Sequence, residues 1–282
     1  MVNVNDLIIT ELDTISAFGV GDHADEYLFT LDELQNASIG QGQEKTDLTG
    51  KAGRKLASLK RNKTITVSGT NGMLSGGLLE LQTGGKFVNN TTPGAKITYR
   101  QRDYFTITAG GTYNLKGAPL TASDSKLVAV YTRNANGTLG TELTKTADNT
   151  VPAGSYKLVS ATANDVTTYS LTFNTGLPAG TEIVAIYDRN VVGAKLDNES
   201  DKFSGKAQLY IDATAEDKCA NVYHVQIYVP KADINGEFTI DMGDNQAVHN
   251  FEAEGLAGAC GAGETLWTFT VIGHDAADVA SN

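Results

Sequence analysis

Residues 27–84 constrain the fold most, because they alternate strand-like, polar and basic segments that hold too few apolar side chains to form a core unaided. The pattern reads as a strand at 27–31, a small-polar strand at 34–42, a loop at 43–53, a basic strand at 54–69 and a short helix at 74–83. The loop, Gln43-Glu44-Lys45-Thr46-Asp47-Leu48-Thr49-Gly50-Lys51-Ala52-Gly53, is long for a hairpin connection and contains neither Asn-Gly nor Asp-Gly. The strand after it carries Arg54, Lys55, Lys60, Arg61 and Lys63. A hairpin this polar needs a partner, so the pattern points to a self-assembling subunit. Glu44, Asp47, Lys51, Arg54, Lys55, Lys60, Arg61 and Lys63 are the candidate contact residues.

The remaining sequence is β-patterned. Alternating apolar and β-branched runs recur at 96–99, 104–108, 126–132, 156–160, 168–173, 182–187, 206–212, 222–229, 238–242 and 266–272. Thirty glycines against five prolines fit many turns between strands rather than a disordered linker. The fold class expected is therefore mainly β, a β-sandwich or barrel with one short α-helix and a β-rich insertion. That helix has Leu74, Leu78 and Leu81 at helical spacing, Ser75 as N-cap and Gly84-Gly85 at its end. Residues 7–20 are read as opening with a helical turn, and Asn136-Gly137 is the best hairpin turn. The runs around Val130 and Ile186 echo each other, as a small duplication or as two strands with similar roles in one subdomain. At 282 residues the chain has room for a sizeable core. Its division is read as 1–103, a β-rich elaboration at 104–195, and 196–282.

A net charge of −11 argues against a protein that grips nucleic acid, and is compatible with one that lets it slide past. The charge is segregated. Residues 1–50 hold ten acids and one base, 51–105 ten bases and two acids, 106–196 seven bases and six acids, and 197–282 fifteen acids and four bases. An acidic head, basic neck and acidic tail could pair between copies, or form local salt bridges within one chain.

No catalytic or cofactor pattern stands out. His23, His224, His249 and His274 lack metal-ligand spacing and read as ordinary surface or core residues. Residues 241–245 look like half a calcium loop without its downstream ligands, and 197–201 likewise read as a turn. GxSxG, GxGxxG and GxxxxGK[ST] are missing. Cys219 and Cys260, without CxxC spacing, read as buried free thiols in a reducing compartment. The lone Trp267 reads as the anchor of a terminal strand in the core. No signal peptide or membrane span is expected, which describes a soluble chain made in the cytoplasm. The basic strand has no interleaved aromatics on which bases could stack.

Several segments in order resemble the major tail tube proteins of tailed bacteriophages. They are residues 34–42, Thr49-Gly50-Lys51-Ala52-Gly53, the strand Lys60-Arg61-Asn62-Lys63-Thr64-Ile65-Thr66-Val67, and Leu78-Leu79-Glu80-Leu81-Gln82-Thr83-Gly84. Further on come Asp201-Lys202-Phe203-Ser204-Gly205, residues 225–232 and residues 243–252. The resemblance implies a β-sandwich subunit in hexameric rings, stacked head to tail into a hollow tube for the genome. It implies tape-measure and tail terminator or baseplate proteins as partners, DNA passing without specific binding, and no cofactor. In that family a long hairpin loop reaches an adjacent ring, and 43–53 is the matching segment. The insertion at 104–195 departs from the family pattern, which favours an outward-facing elaboration on a non-contractile tail. The competing readings are a capsid decoration or Ig-like virion surface protein, and a β-sandwich glycan hydrolase, which would need an aromatic-lined groove.

Overall fold

The computed structural model describes residues 6–24, 26–89, 96–108, 111–120, 129–240, 248–257 and 264–273. In chain order the elements are β1 (Ile8–Phe18), β2 (Tyr27–Leu31), β3 (Leu34–Thr49), β4 (Lys55–Asn71), α1 (Gly76–Thr83), β5 (Phe87–Asn89) and β6 (Ile97–Thr106). They continue with β7 (Tyr113–Asn114), β8 (Ala129–Arg133), β9 (Leu139–Glu142), β10 (Thr144–Lys145), β11 (Ser155–Ala163) and β12 (Val166–Phe173). The last are β13 (Glu182–Val191), β14 (Ala194–Leu196), β15 (Lys206–Glu216), β16 (Val222–Ile234), β17 (His249–Gly255) and β18 (Thr268–Gly273). Among the described residues the protein is mainly β with one short α-helix, as its alternation predicts.

Contacts divide the chain into two units, 1–87 with 196–282, and 88–195. The first is an eight-stranded sheet in the order β2-β1-β15-β16-β17-β4-β3, with β18 also paired to β16. Strict alternation along β15 sends Ala207, Leu209, Ile211, Ala213 and Ala215 to one face and leaves Gln208, Tyr210, Asp212 and Thr214 on the other. The inner face is one core in which Ile15, Leu31, Ile65, Leu209, Ile211 and Ile234 are almost wholly hidden. Each such side chain contributes about 1.5–3 kcal/mol.

Helix α1 caps one end of this core. Ser75 Oγ accepts from Leu78 N at 3.3 Å, Gly84 closes the helix in the left-handed region (φ 68), and Leu78 is buried. A Cβ on Gly84 would collide with the Phe203 backbone, so packing as well as backbone torsion calls for glycine there. Next to the helix, fully buried His249 places Nε2 2.7 Å from Gln82 Oε1, while Gln82 Nε2 donates to the Asn250 carbonyl at 3.2 Å. The amide oxygen can only accept, so the imidazole proton sits on Nε2 and Nδ1 is left as a buried acceptor without a partner. Burial pushes the His249 pKa down.

The second unit has two four-stranded sheets, β10-β11-β12-β7 and β6-β13-β8-β9. Val130, Tyr156, Leu171, Ile183 and Tyr187 from both sheets meet in a single core. Asp103 is buried in this unit and is held by Tyr187 Oη (2.7 Å), Gln101 Nε2 (2.9 Å) and Lys116 N (2.9 Å). Burial is the main force holding the Tyr187 hydroxyl protonated, with the Asp103 hydrogen bond adding to it. The described parts of the echoed runs form neighbouring antiparallel strands, β8 and β13, with Val130 opposite Ala185, while residues 126–128 lie outside the described residues. Asn136-Gly137 turns β8 into β9, with Gly137 at φ 83.

Three local expectations are corrected. Residues 8–18 form a strand rather than a helical turn, because β1 pairs with β15 along its length. The runs at 96–99 and 104–108 belong to one continuous strand, β6, aligned with β13 from Thr106 to Ile97. The run at 238–242 contributes only an isolated bridge, Ile240 to His249, and residues 241–247 lie outside the described residues.

Candidate self-association surface

The expected loop at 43–53 is strand for most of its length. β3 and β4 stay in antiparallel register from Leu34 opposite Asn71 to Thr49 opposite Lys55, so only the residues between Thr49 and Lys55 turn. Gly50 N donates to the Arg54 carbonyl (2.7 Å) and Gly53 N to the Gly50 carbonyl (3.1 Å). Ala52 (φ 64) and Gly53 (φ 73) take the left-handed conformation that reverses the chain. Without Asn-Gly or Asp-Gly the turn has no strong sequence signature, which is why a longer loop is expected.

This hairpin changes character along its length. β17 covers β4 only from Ile65 to Asn71, so β4 before Ile65 and the facing part of β3 leave the sheet as a two-stranded ribbon. Nearly every ribbon residue is exposed. Its register makes it two-faced. Thr46 lies opposite Leu59 and Leu48 opposite Ala57 on one face, while Lys45 faces Lys60 and Asp47 faces Ser58 on the other. Leu48 is 45% exposed and Leu59 41%, so no described residue covers the apolar face.

All eight candidate residues lie on this ribbon or its turn, and the structure joins only some of them. Lys55 Nζ is 2.7 Å from Asp47 Oδ1, and Lys45 Nζ is 4.0 Å from the same atom. Ser58 Oγ also donates to Asp47. The Lys55 hydrogen bond, then that of Ser58, holds the Asp47 carboxyl below the usual carboxylate range. Asp47 correspondingly raises Lys55, while Lys45, crowded by Lys55, is lowered. Glu44 accepts from Asn62 Nδ2 at 2.7 Å even though Arg61 is its ladder partner. Lys51, Arg54, Lys60, Arg61 and Lys63 have no ion-pair partner among the described residues. The local salt-bridge reading of the charge blocks thus accounts for Lys55 and Asp47 and leaves most of the basic strand unneutralised by its own chain.

The other sequence candidates fall elsewhere. His23 pairs at the surface with Glu26 (3.3 Å), His224 lies on β16, and His274 is outside the described residues. Among the described residues no group of three or more His, Cys, Asp and Glu could hold a metal ion. Cys219 is an exposed free thiol in the β15–β16 turn, correcting the expectation of burial, and Cys260 lies outside the described residues. The turn folds around Asp217, which accepts from Cys219 N, Asn221 N and Asn221 Nδ2, so the thiol has no core to enter. Trp267 packs against the first core just ahead of β18 and donates Nε1 to Gln41 Oε1 at 3.0 Å. The Leu48 and Leu59 face is absent from the charge-based candidates. Its signal was the alternation Thr46-x-Leu48 and Ala57-x-Leu59 within an otherwise polar stretch.

The described residues thus form a mainly β subunit that extends a charged, two-faced ribbon beyond its own core. Over residues 13–266 the chain matches the model of the YomU/Tube protein family, and it belongs to that family. It is a phage tail tube protein, a structural component of the virion tail, in agreement with the sequence resemblance. No match appears among curated proteins. Among the described residues no helix is long and apolar enough to cross a membrane.

Proposed function

We propose that copies of this chain join into hexameric rings that stack head to tail into the tail tube through which the genome is delivered. The observation carrying this reading is the ribbon, which has an uncovered apolar face, unneutralised bases and both backbone edges open beyond Ile65. Open edges are satisfied by pairing strands across copies, and a heterologous contact between rings continues into a filament. Glu44, Asp47, Lys51, Arg54, Lys55, Lys60, Arg61 and Lys63 are the contact residues in this reading. Tape-measure and tail terminator or baseplate proteins are the partners.

The face of the first sheet turned from its core suits a channel wall. It bears Asp13, Asp212, Asp233, Glu252 and Glu254 against Lys206 and Lys231, among Ser, Thr and Gln side chains bridged across strands. Such a surface repels phosphate and offers DNA no fixed grip. In this reading the first unit, 1–87 with 196–282, supplies the tube wall, and the second unit, 88–195, which takes in the 104–195 insertion together with the strand start at 97–103, the outward elaboration of a non-contractile tail. Electron microscopy of the purified protein tests the proposal. Hollow rods or six-fold rings are expected, and a strict monomer by light scattering at high concentration would refute it.

A further inference from the structure

We propose that the apolar face of the ribbon docks into an open apolar mouth on the first unit of a second copy. The inference rests on the self-assembly reading above and names the receptor that reading leaves unspecified.

The mouth lies at the end of the curled sheet away from α1. The helix sits by Ile234, His249 and Asn250, whereas the mouth is lined from the opposite ends of the same strands. Ile9 and Leu12 of β1 form one lip, Ile39 and Gln41 of β3 the other, with Trp267 and Phe269 beside them. Its floor is the core itself, at Ile15, Ile65 and Ile211. The cavity measures about 360 Å³, space for roughly a dozen waters at about 30 Å³ each. Waters there would find few partners. Gln41 Oε1, the main polar atom of the lining, already accepts from Trp267. Ile9, Ile39 and Phe269 are 55%, 38% and 43% exposed, so the mouth shows apolar surface that an apolar occupant would remove from water.

The occupant is assigned by geometry and charge. The ribbon of the same chain cannot fill its own mouth. β3 carries Leu48 about 23 Å along the ladder from the lip at Gln41, and folding back would break the β3–β4 pairing. A second copy brings Leu48 and Leu59 without that penalty. Along the first lip, β1 pairs β15 on one side throughout, but β2 covers its other side only from Ile15. Among the described residues none pairs with 8–14 on that side, which leaves an edge on which a ribbon strand can add. That lip is acidic, with Glu11 and Asp13 on β1, and the nearby Lys218 is held by Asp6 at 2.9 Å. The ribbon arrives with Lys60, Arg61 and Lys63 unneutralised, so the opposed charges fix its direction of entry.

Trp267 is the chain's single tryptophan and lines the mouth, so its emission reports occupancy directly. On assembly of the intact protein the emission should shift to the blue and become harder to quench with acrylamide. Leu59→Asp should abolish the shift and weaken association roughly tenfold or more. A second measurement mixes Ile39→Cys and Ala57→Cys variants in a Cys219→Ser, Cys260→Ser background under mild oxidation. A cross-linked pair should form in the mixture and in neither variant alone. Assembly with unchanged Trp267 emission and no cross-link would overturn this inference while leaving the tube reading intact. Emission already shielded in the monomer, showing the mouth filled by its own chain, would also overturn it. Failure to assemble at all would overturn both readings.

Discussion

The β3–β4 hairpin of the first unit and the β11–β12 hairpin of the second differ in what they expose. In the second unit β11 and β12 pair from Tyr156 opposite Phe173 to Ala163 opposite Val166, and the distal residues are exposed. That tip is uncharged up to its turn, built from Ala161, Thr162, Thr167 and Thr168 with a single valine, Val166, exposed beside the turn, and the Thr162 and Thr167 hydroxyls are bridged at 2.9 Å. The β3–β4 ribbon instead carries Lys45, Lys60 and Lys63 on one face and Leu48 and Leu59 on the other, beside the Glu44–Arg61 pair. A projecting hairpin alone is therefore weak grounds for an interface, because a threonine ladder is satisfied by water and by itself. The ribbon's exposed bases are hydrated as well, so it is the uncovered leucines, with charge beside them that a partner can complement, that mark this hairpin.

The largest expected effect separates the two hairpins. Leu48→Asp with Leu59→Asp should eliminate assembly in a sedimentation assay while leaving the thermal midpoint of the monomer nearly unchanged, since neither side chain enters a core. Losing burial of both leucines removes about 3–6 kcal/mol of association energy. Val159→Asp with Val166→Asp on the other hairpin should leave assembly intact. If the second pair proved equally damaging, the distinction drawn between the hairpins would fail.

Next comes a contrast within one strand. Ile65 and Leu59 lie on the same β4, but Ile65 is wholly buried beneath β17 and Leu59 is not. Ile65→Ala should lower stability by about 2–5 kcal/mol through lost transfer energy and a cavity, read as an earlier urea midpoint. Leu59→Ala should barely move that midpoint. Equal losses would mean that the ribbon is part of the folding core.

The same contrast explains how far the sequence was legible. The alternation of Leu209, Ile211 and Ala213 predicts strand β15, and Ser75 with Gly84 brackets α1, because burial and capping leave periodic, local marks. The ribbon's charges were equally visible. Its extent was not, because a turn set by Ala52 and Gly53 has no dipeptide signature and polar residues in a ladder look like loop. The buried His249–Gln82 contact joins residues far apart in sequence, and only the fold brings them together. The start of β1 suggests a helical turn in the sequence because Leu7, Ile8 and Ile9 fit a strand or a helical turn equally well over so few residues.

A smaller effect probes charge. Lys60→Glu, Arg61→Glu and Lys63→Glu should weaken assembly most at low ionic strength and flatten its dependence on salt, because exposed charges are screened within about 10 Å at 0.1 M. Assembly of the wild type should conversely loosen as salt rises. pH probes the folded unit separately. His249 has a depressed pKa, so its neutral form belongs to the native state and the unfolded chain binds the extra proton. Stability should be fully present above about pH 6.5 and fall as pH drops below it, towards the lower native value. His249→Gln, which cannot charge, should flatten that part of the profile, while an unaltered slope would assign the acid sensitivity to other groups.

The smallest effect concerns the turns. Asn164 (φ 49) and Asp165 (φ 62) give the second hairpin a two-residue reversal in residue types that tolerate the left-handed region. The ribbon puts Ala52 at φ 64, where a Cβ is crowded by about 1–2 kcal/mol, followed by Gly53 at φ 73, where nothing is crowded. Ala52→Gly should therefore tighten the ribbon, and Gly53→Ala should loosen it by a similar amount. Asn164→Gly should change its own hairpin less, because asparagine already accepts that torsion. Amide hydrogen exchange at Leu48 and Leu59 reads the first pair. Slower exchange in Ala52→Gly and faster exchange in Gly53→Ala would show that the ladder is held closed at its tip. Exchange unchanged in both would mean that its order comes from the sheet end alone, with assembly supplying the remainder.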